Sequence, residues 1–243
     1  MEYHPRINLS DERLIQSKII LGSFPTWSLS RSENETINQE KKVTRIKNGD
    51  VSYFYGSTNN QFWIWYEKYI DPNVKHLDIK SVKFSLKKNK IGLTDVIYSC
   101  KRKEKSALDK HLTQRIYNHD FFVYPKQGEK LKILCTSKGV LNEMLLSNNF
   151  FKIHTSLEIN IEKSVGFQNR FINKFNGNQN NIKKPCCVLI ESETGGVIEC
   201  VSIPSPGSPY RRLIDFGFDS NNLNDSNLFL DNYLKVIFDW FIE

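Results

Sequence analysis

The chain has 243 residues, of which 39% are hydrophobic, enough for one substantial core and too few for several independent ones. Its formal charge of +7 and isoelectric point near 9.0 favour a polyanionic partner such as nucleic acid over an acidic small molecule. No apolar run approaches the roughly 18 residues that span a bilayer, and Met1 to Ser10 lacks the basic-then-apolar order of a signal peptide, so a cytoplasmic monomer without membrane contact is expected.

Leu14 to Leu21 is a short apolar run that ends in Gly22-Ser23-Phe24-Pro25, the pattern of a buried strand leading into a loop. From Ser28 to Asp50 the composition turns polar and apolar periodicity disappears, which predicts a surface loop. Phe62 to Ile70 carries aromatics at helical spacing, and Asp71-Pro72 marks the helix boundary. Gly92 to Tyr98 reads as an interior segment. The basic run Lys101 to Lys105 that follows reads as a solvated face with at most a steering role. Leu131 to Cys135 is a second strand and Gly139 to Leu146 the helix after it. Pro185 to Ile190 and Val197 to Ile203 supply one or two more strands, broken at Thr194-Gly195-Gly196. In the tail, Asn227 to Glu243, Leu228, Leu230, Leu234, Ile237 and Phe238 share roughly one face of an amphipathic helix. Alternating strands and helices predict a single α/β domain over 1–243, its core about 14–212, built on a mostly parallel sheet covered on both sides.

Five cysteines, Cys100, Cys135, Cys186, Cys187 and Cys200, show no Cys-x-x-Cys spacing and read as buried thiols, so no iron–sulfur cluster is expected. The histidines His4, His76, His111, His119 and His154 are scattered without ligand spacing. Neither a metal nor any other cofactor is therefore predicted.

Two loops can face one cleft, because successive strand ends in a parallel sheet lie along one edge. The first is Gly22 to Ser28. The second, Ile203 to Arg212, has prolines that stiffen it, Gly207 for close approach, and the hydroxyls of Ser205 and Ser208 beside Arg211 and Arg212, a set suited to gripping phosphates. Such Ser/Pro/Gly runs are also ordinary surface turns. Between them, Asn59 and Asn60 precede the aromatic helix, where an Asn caps free backbone N–H groups and equally offers the donor and acceptor that read a nucleobase edge. Phe62, Trp63 and Trp65 read as core residues.

Taken in order, these segments resemble the uracil-DNA glycosylase superfamily, closest to its hypoxanthine-DNA and mismatch-specific branches. Those proteins look like strand-Gly-Ser-x-Pro-Gly, then Tyr-Tyr-Gly-His-Pro-x-Asn-x-Phe-Trp, then a Leu-Pro-Ser-x-Ser-Pro loop. Here the matching residues are Gly22-Ser23-Phe24-Pro25, Phe54-Tyr55-Gly56 with Asn60 and Phe62-Trp63, and Ile203-Pro204-Ser205 with Ser208-Pro209. The stretch from Ile91 through Asp95, Ser99-Cys100 and Arg102 to Ser106 and Leu108-Asp109 is similar to the branch's Gly-x-Leu-Trp-Asp-Val segment and its continuation.

The resemblance implies a three-layer α/β/α sandwich with a short, mostly parallel sheet, and a monofunctional DNA glycosylase that flips a damaged, deaminated or modified base into a pocket and hydrolyses its N-glycosidic bond. By the same resemblance Asn60 is the principal catalytic residue, orienting water and contacting the base, and Asp95 a second catalytic candidate. Gly22, Ser23, Phe24, Pro25, Tyr55 and Asn59 would form the base pocket, with Phe24 as stacking platform. Ser205, Pro206, Gly207 and Ser208 would grip DNA, and Tyr210 or Arg211 would wedge into the stack. The family's Gly after the proline is Thr26 here, and its His-Pro-Arg run is replaced by Ser57-Thr58-Asn59. Base choice therefore does not carry over, and both a hypermodified base of foreign DNA and an inactive DNA-binding shell stay open.

Overall fold

A computed structural model describes residues 1–5, 16–32, 47–76, 78–105, 109–119, 121, 123–147, 150–175, 178, 182, 186–211, 213–218 and 223–243. Leu14, Arg212 and positions 33–46 of the predicted surface loop lie outside them. In chain order the strands are β1 (Glu2–Tyr3), β2 (Lys18–Gly22), β3 (Arg31–Ser32), β4 (Ile91–Asp95), β5 (Ile97–Arg102), β6 (Leu112–Tyr117), β7 (Lys130–Cys135), β8 (Leu157–Ile159), β9 (Cys187–Ser192) and β10 (Val197–Ser202). The helices are α1 (Phe62–Tyr69), α2 (Ile79–Lys88), α3 (Lys138–Asn142), α4 (Phe150–Ile153), α5 (Ile161–Phe175) and α6 (Leu223–Ile242).

A six-stranded sheet in the order β4-β2-β7-β10-β9-β8 forms the centre. β4, β2, β7 and β10 are mutually parallel, and β9 and β8 extend the sheet through antiparallel pairings. The sheet is therefore mixed, and three of its five pairings are parallel, in keeping with the expected mostly parallel sheet. Its antiparallel part arises at Thr194-Gly195-Gly196, which is a tight hairpin between β9 and β10. Gly195 takes a φ of +82° that side chains with a Cβ disfavour, and the Ser192 N–H donates to the Gly196 carbonyl. A second sheet, β3-β1-β5-β6, is antiparallel.

The buried strands alternate sides, as the two-residue period of a strand dictates. Ile20, Leu134 and Val201 join one core cluster with aromatics of α1, α5 and α6. Ile19, Leu21, Ile133, Cys135 and Cys200 join another with Val140 and Leu141 of α3 and Phe150 of α4. Helices thus flank the sheet on both faces. In α1, Phe62, Trp63, Trp65 and Tyr66 are all buried, each such ring contributing about 1.5–3 kcal/mol. All five cysteines are buried and free.

Three expectations are corrected. Ser28, Leu29 and Ser30 are buried rather than at the start of a surface loop, and β3 follows at once. Leu228 points away from the apolar face of α6 and is 64% exposed, while Leu230, Leu234, Ile237 and Phe238 are buried as the periodicity predicts. Arg102 is not a solvated member of its basic run, since its side chain is 2% exposed. No helix among the described residues is long and apolar enough to cross a membrane.

Candidate active site

The parallel strands end in register: Gly22 lies opposite Asp95, and Cys135 opposite Leu21 and Ser202. Their C-terminal ends release four segments toward one place, and Ser23–Thr26, Asp95, Thr136–Ser137 and Ser205–Gly207 all line a cavity of about 180 Å³. Tyr55 and Asn60 complete it from the loop before α1, and His4 from the end of β1. A cavity below the roughly 300–1,000 Å³ of drug-sized sites suits one small ring system.

Gly22 supports its floor. A Cβ there would stand 2.1 Å from Asp95 Oδ1 and 2.6 Å from the Tyr55 hydroxyl, so these two groups pack directly over the glycine. Asp95 Oδ2 accepts a hydrogen bond from His4 Nε2–H at 2.8 Å, both side chains being buried. Asp95 Oδ1 and the Tyr55 hydroxyl are buried without a hydrogen-bond partner among the described residues. Burial first, and then the charge of Asp95, push the Tyr55 phenol well above its usual range, which keeps it a protonated donor. Its backbone sits at φ 53°, a left-handed conformation that costs about 1–3 kcal/mol in a non-glycine residue and clusters at functional sites.

A second carboxyl stands beside the first. Ser23 Oγ donates to Asp109 Oδ1 at 3.0 Å. Burial raises the Asp109 carboxyl above its ordinary value, with the Ser23 bond and the Arg115 charge opposing and the charges of Glu143 and Asp95 adding to the rise. Arg115 holds the backbone there, donating to the Asp109 carbonyl at 2.8 Å and pairing with Glu143. Two carboxyls in different surroundings on one cavity suit separate acid and base roles.

Phe24 is 8% exposed and lines the cavity. The Arg102 guanidinium lies over its ring at 5.7 Å, and His4 meets it edge-on at 6.1 Å. Arg102 also donates to the Pro25 carbonyl at 2.8 Å and to Glu2 Oε2 at 2.9 Å, so β1 and the loop after β2 are clamped by one buried cation.

Asn60 lines the cavity, and its Oδ1 accepts from the Phe62 N–H, the first amide of α1, at 2.9 Å; the N-cap itself is Gln61, whose side chain makes no capping bond. With the oxygen so engaged, the amide Nδ2 has no partner among the described residues and remains as a donor. Gln61 N–H donates to the Pro206 carbonyl at 3.1 Å, tying this loop to the one after β10.

The structure brings Ser23, Phe24, Pro25, Tyr55, Asn60, Asp95, Ser205, Pro206 and Gly207 around the cavity. Gly22 lies beneath it. Asn59, Ser208, Tyr210 and Arg211 do not line it; all four are exposed. Ser208 and Arg211 sit on turns that continue the rim, with Ser208 N–H donating to Ser205 O and Arg211 N–H to Ser208 O, while the Tyr210 hydroxyl donates to Asn227. Asn59 is outward, and Asn60 is the one of the pair whose side chain accepts from the first amide of α1.

Sequence reasoning missed His4, Arg102 and the role of Asp109. His4 lies 91 positions from its partner, with no local pattern to betray the pairing. Asp109 stood within a recognisable segment and lacked only a reason to face inward, which the Ser23 hydroxyl supplies. Among the described residues, no group of three or more His, Cys, Asp or Glu converges as a metal site. Comparison with known proteins found no matching family model, curated protein or solved structure.

Proposed function

We propose that the chain is a monofunctional DNA glycosylase that receives an extruded base in this cavity and hydrolyses its bond to the sugar. The observation that carries the reading is that Phe24, Tyr55, Asn60, Asp95 and the 205–207 loop, drawn from four separate stretches of sequence, enclose one base-sized hollow. Phe24 would stack on the base. The Asn60 Nδ2 would donate to it, stabilising the negative charge that the base acquires as it leaves with the electrons of the broken bond. Water orientation then falls to Asp95, whose carboxylate His4 anchors, rather than to the Asn60 amide oxygen, which α1 occupies. Outside the hollow, Ser205, Gly207, Ser208 and Arg211 line an exposed rim suited to phosphates.

The test is incubation with duplexes containing uracil, hypoxanthine or hydroxymethylated cytosine, followed by alkali to reveal abasic sites. Strand breaks that disappear in Asp95→Asn and Asn60→Ala support the reading; intact strands on every substrate sink it. The second reading, a DNA-binding protein without chemistry, is favoured by one observation: Asn60 Oδ1 and Asp95 Oδ2 both already serve internal bonds. Duplex binding without breaks would select it.

A further inference from the structure

At the opposite edge of the central sheet, where β2 and β7 begin, lies a larger groove of about 760 Å³. Strands of five and six residues at about 3.3 Å per residue separate it from the cavity by roughly 17 Å. Five cations from three elements face it: Lys18 of β2, Lys130 and Lys132 of β7, and Arg170 and Lys174 of α5. Two carboxylates oppose them, Glu199 and Glu243. Glu199 is already engaged, accepting from Trp240 Nε1–H at 2.9 Å and from Lys130 at 3.2 Å. Positive charge is thus in excess in a bounded groove.

We propose that this groove binds a small ligand carrying two or more clustered phosphate groups. Lys18 and Lys132 are fixed from below, donating to the carbonyls of Ile242 and Trp240 at the end of α6. A helix C-terminus attracts cations, and each ammonium retains two further donors after that bond. Both ammonium groups therefore stand preorganised, with little side-chain entropy left to lose on binding. Arg170 and Lys174 lie one helical turn apart on α5, on the side facing these lysines, which makes a wall of charge across from them. Burial lowers the affinity of Lys18 and Lys132 for their protons; at Lys132 the charges of Glu199 and Glu243 oppose that fall and those of Lys18 and Lys130 add to it. The volume falls in the small-ligand range, and the groove is bordered by α5, the end of α6 and the strand starts, a span that matches a compact polyphosphate. The proposal does not depend on the glycosylase reading, since none of these residues touches the cavity.

The experiment is calorimetric titration of the full chain with inorganic tripolyphosphate, with oligothymidylate as a parallel arm. Tripolyphosphate is expected to bind, with affinity falling as salt rises, and the exposed-site double variant Arg170→Ala/Lys174→Ala to weaken it at least ten-fold. A control pair on a distant basic surface, Lys101→Ala/Lys103→Ala, is expected to leave affinity unchanged. Absence of heat at millimolar tripolyphosphate, equal loss in the control pair, or oligothymidylate that binds more tightly through the same residues would each overturn the proposal. Thermal unfolding of both double variants without ligand checks that they fold.

Discussion

His4 Nε2 and Asp95 Oδ2 meet at 2.8 Å inside the protein, although 91 positions separate them in the chain. The contact joins the small antiparallel sheet to the central one at the cavity wall. Removing His4 leaves a buried Asp95 oxygen without its donor, at about 1–3 kcal/mol. His4→Leu is therefore expected to lower unfolding free energy by that amount in urea titration, and His4→Leu/Asp95→Leu to recover most of it. A single variant as stable as the parent would contradict the pairing.

Asn60 separates a structural hydrogen bond from chemistry. Asn60→Asp keeps an acceptor for the Phe62 N–H and is expected to stay within about 0.5 kcal/mol of the parent, whereas Asn60→Ala loses about 1 kcal/mol. Both lose the Nδ2 donor, so both should fail in the alkali assay. Activity retained in Asn60→Asp would remove the donor from the mechanism.

Two glycines of the site respond oppositely to an added methyl group. Gly22→Ala forces a Cβ to 2.1 Å from Asp95 Oδ1, whereas a Cβ at Gly207 meets nothing within 4 Å. Overpacking is expected to destabilise Gly22→Ala by about 1–3 kcal/mol or more, with Gly207→Ala within about 0.5 kcal/mol. Chemical denaturation of the pair checks this, and similar stabilities would mean that the floor yields.

The raised Asp109 carboxyl makes a signed prediction in acid. Below the ordinary Asp value, near about 3.9, folded and unfolded chains both hold the proton and its stabilising contribution is complete. As pH rises, the unfolded chain releases its proton first, so that contribution shrinks until Asp109 itself ionises, with a slope of at most about 1.4 kcal/mol per pH unit. The difference in unfolding free energy between the parent and Asp109→Asn should therefore fall from pH 4 upward; a flat difference would place Asp109 in ordinary solvent.

Arg211 is exposed on the rim. If it meets phosphate, Arg211→Ala weakens duplex binding uniformly across sequences and lowers the logarithmic salt slope by about one unit. An unchanged slope removes it from the interface.

The sequence carries those features whose signal is local. β2, β7, β10 and α1 stand out because continuous apolar or helically spaced runs create them. β1 and β3, two residues each, are too short for any period and exist only through partners supplied elsewhere. α5 escaped notice because exposed Ile161 and Val165 interleave with its buried Phe167 and Phe171, blurring the stripe. At the site, Phe24, Asn60 and Asp95 are legible from motif order, while His4 and Arg102 acquire their places only from long-range pairing. A lysine-rich neighbourhood argues for solvent, yet Arg102 is withdrawn from it by Glu2, Pro25 and the Phe24 ring.

The bond from Gln61 N–H to the Pro206 carbonyl spans 145 positions and couples the front of α1 to the loop after β10. One amide thus fastens the two margins of the entrance to each other, and a shift of either one alone exchanges that bond for water; a tether introduced across the seam is expected to slow the exchange of any guest.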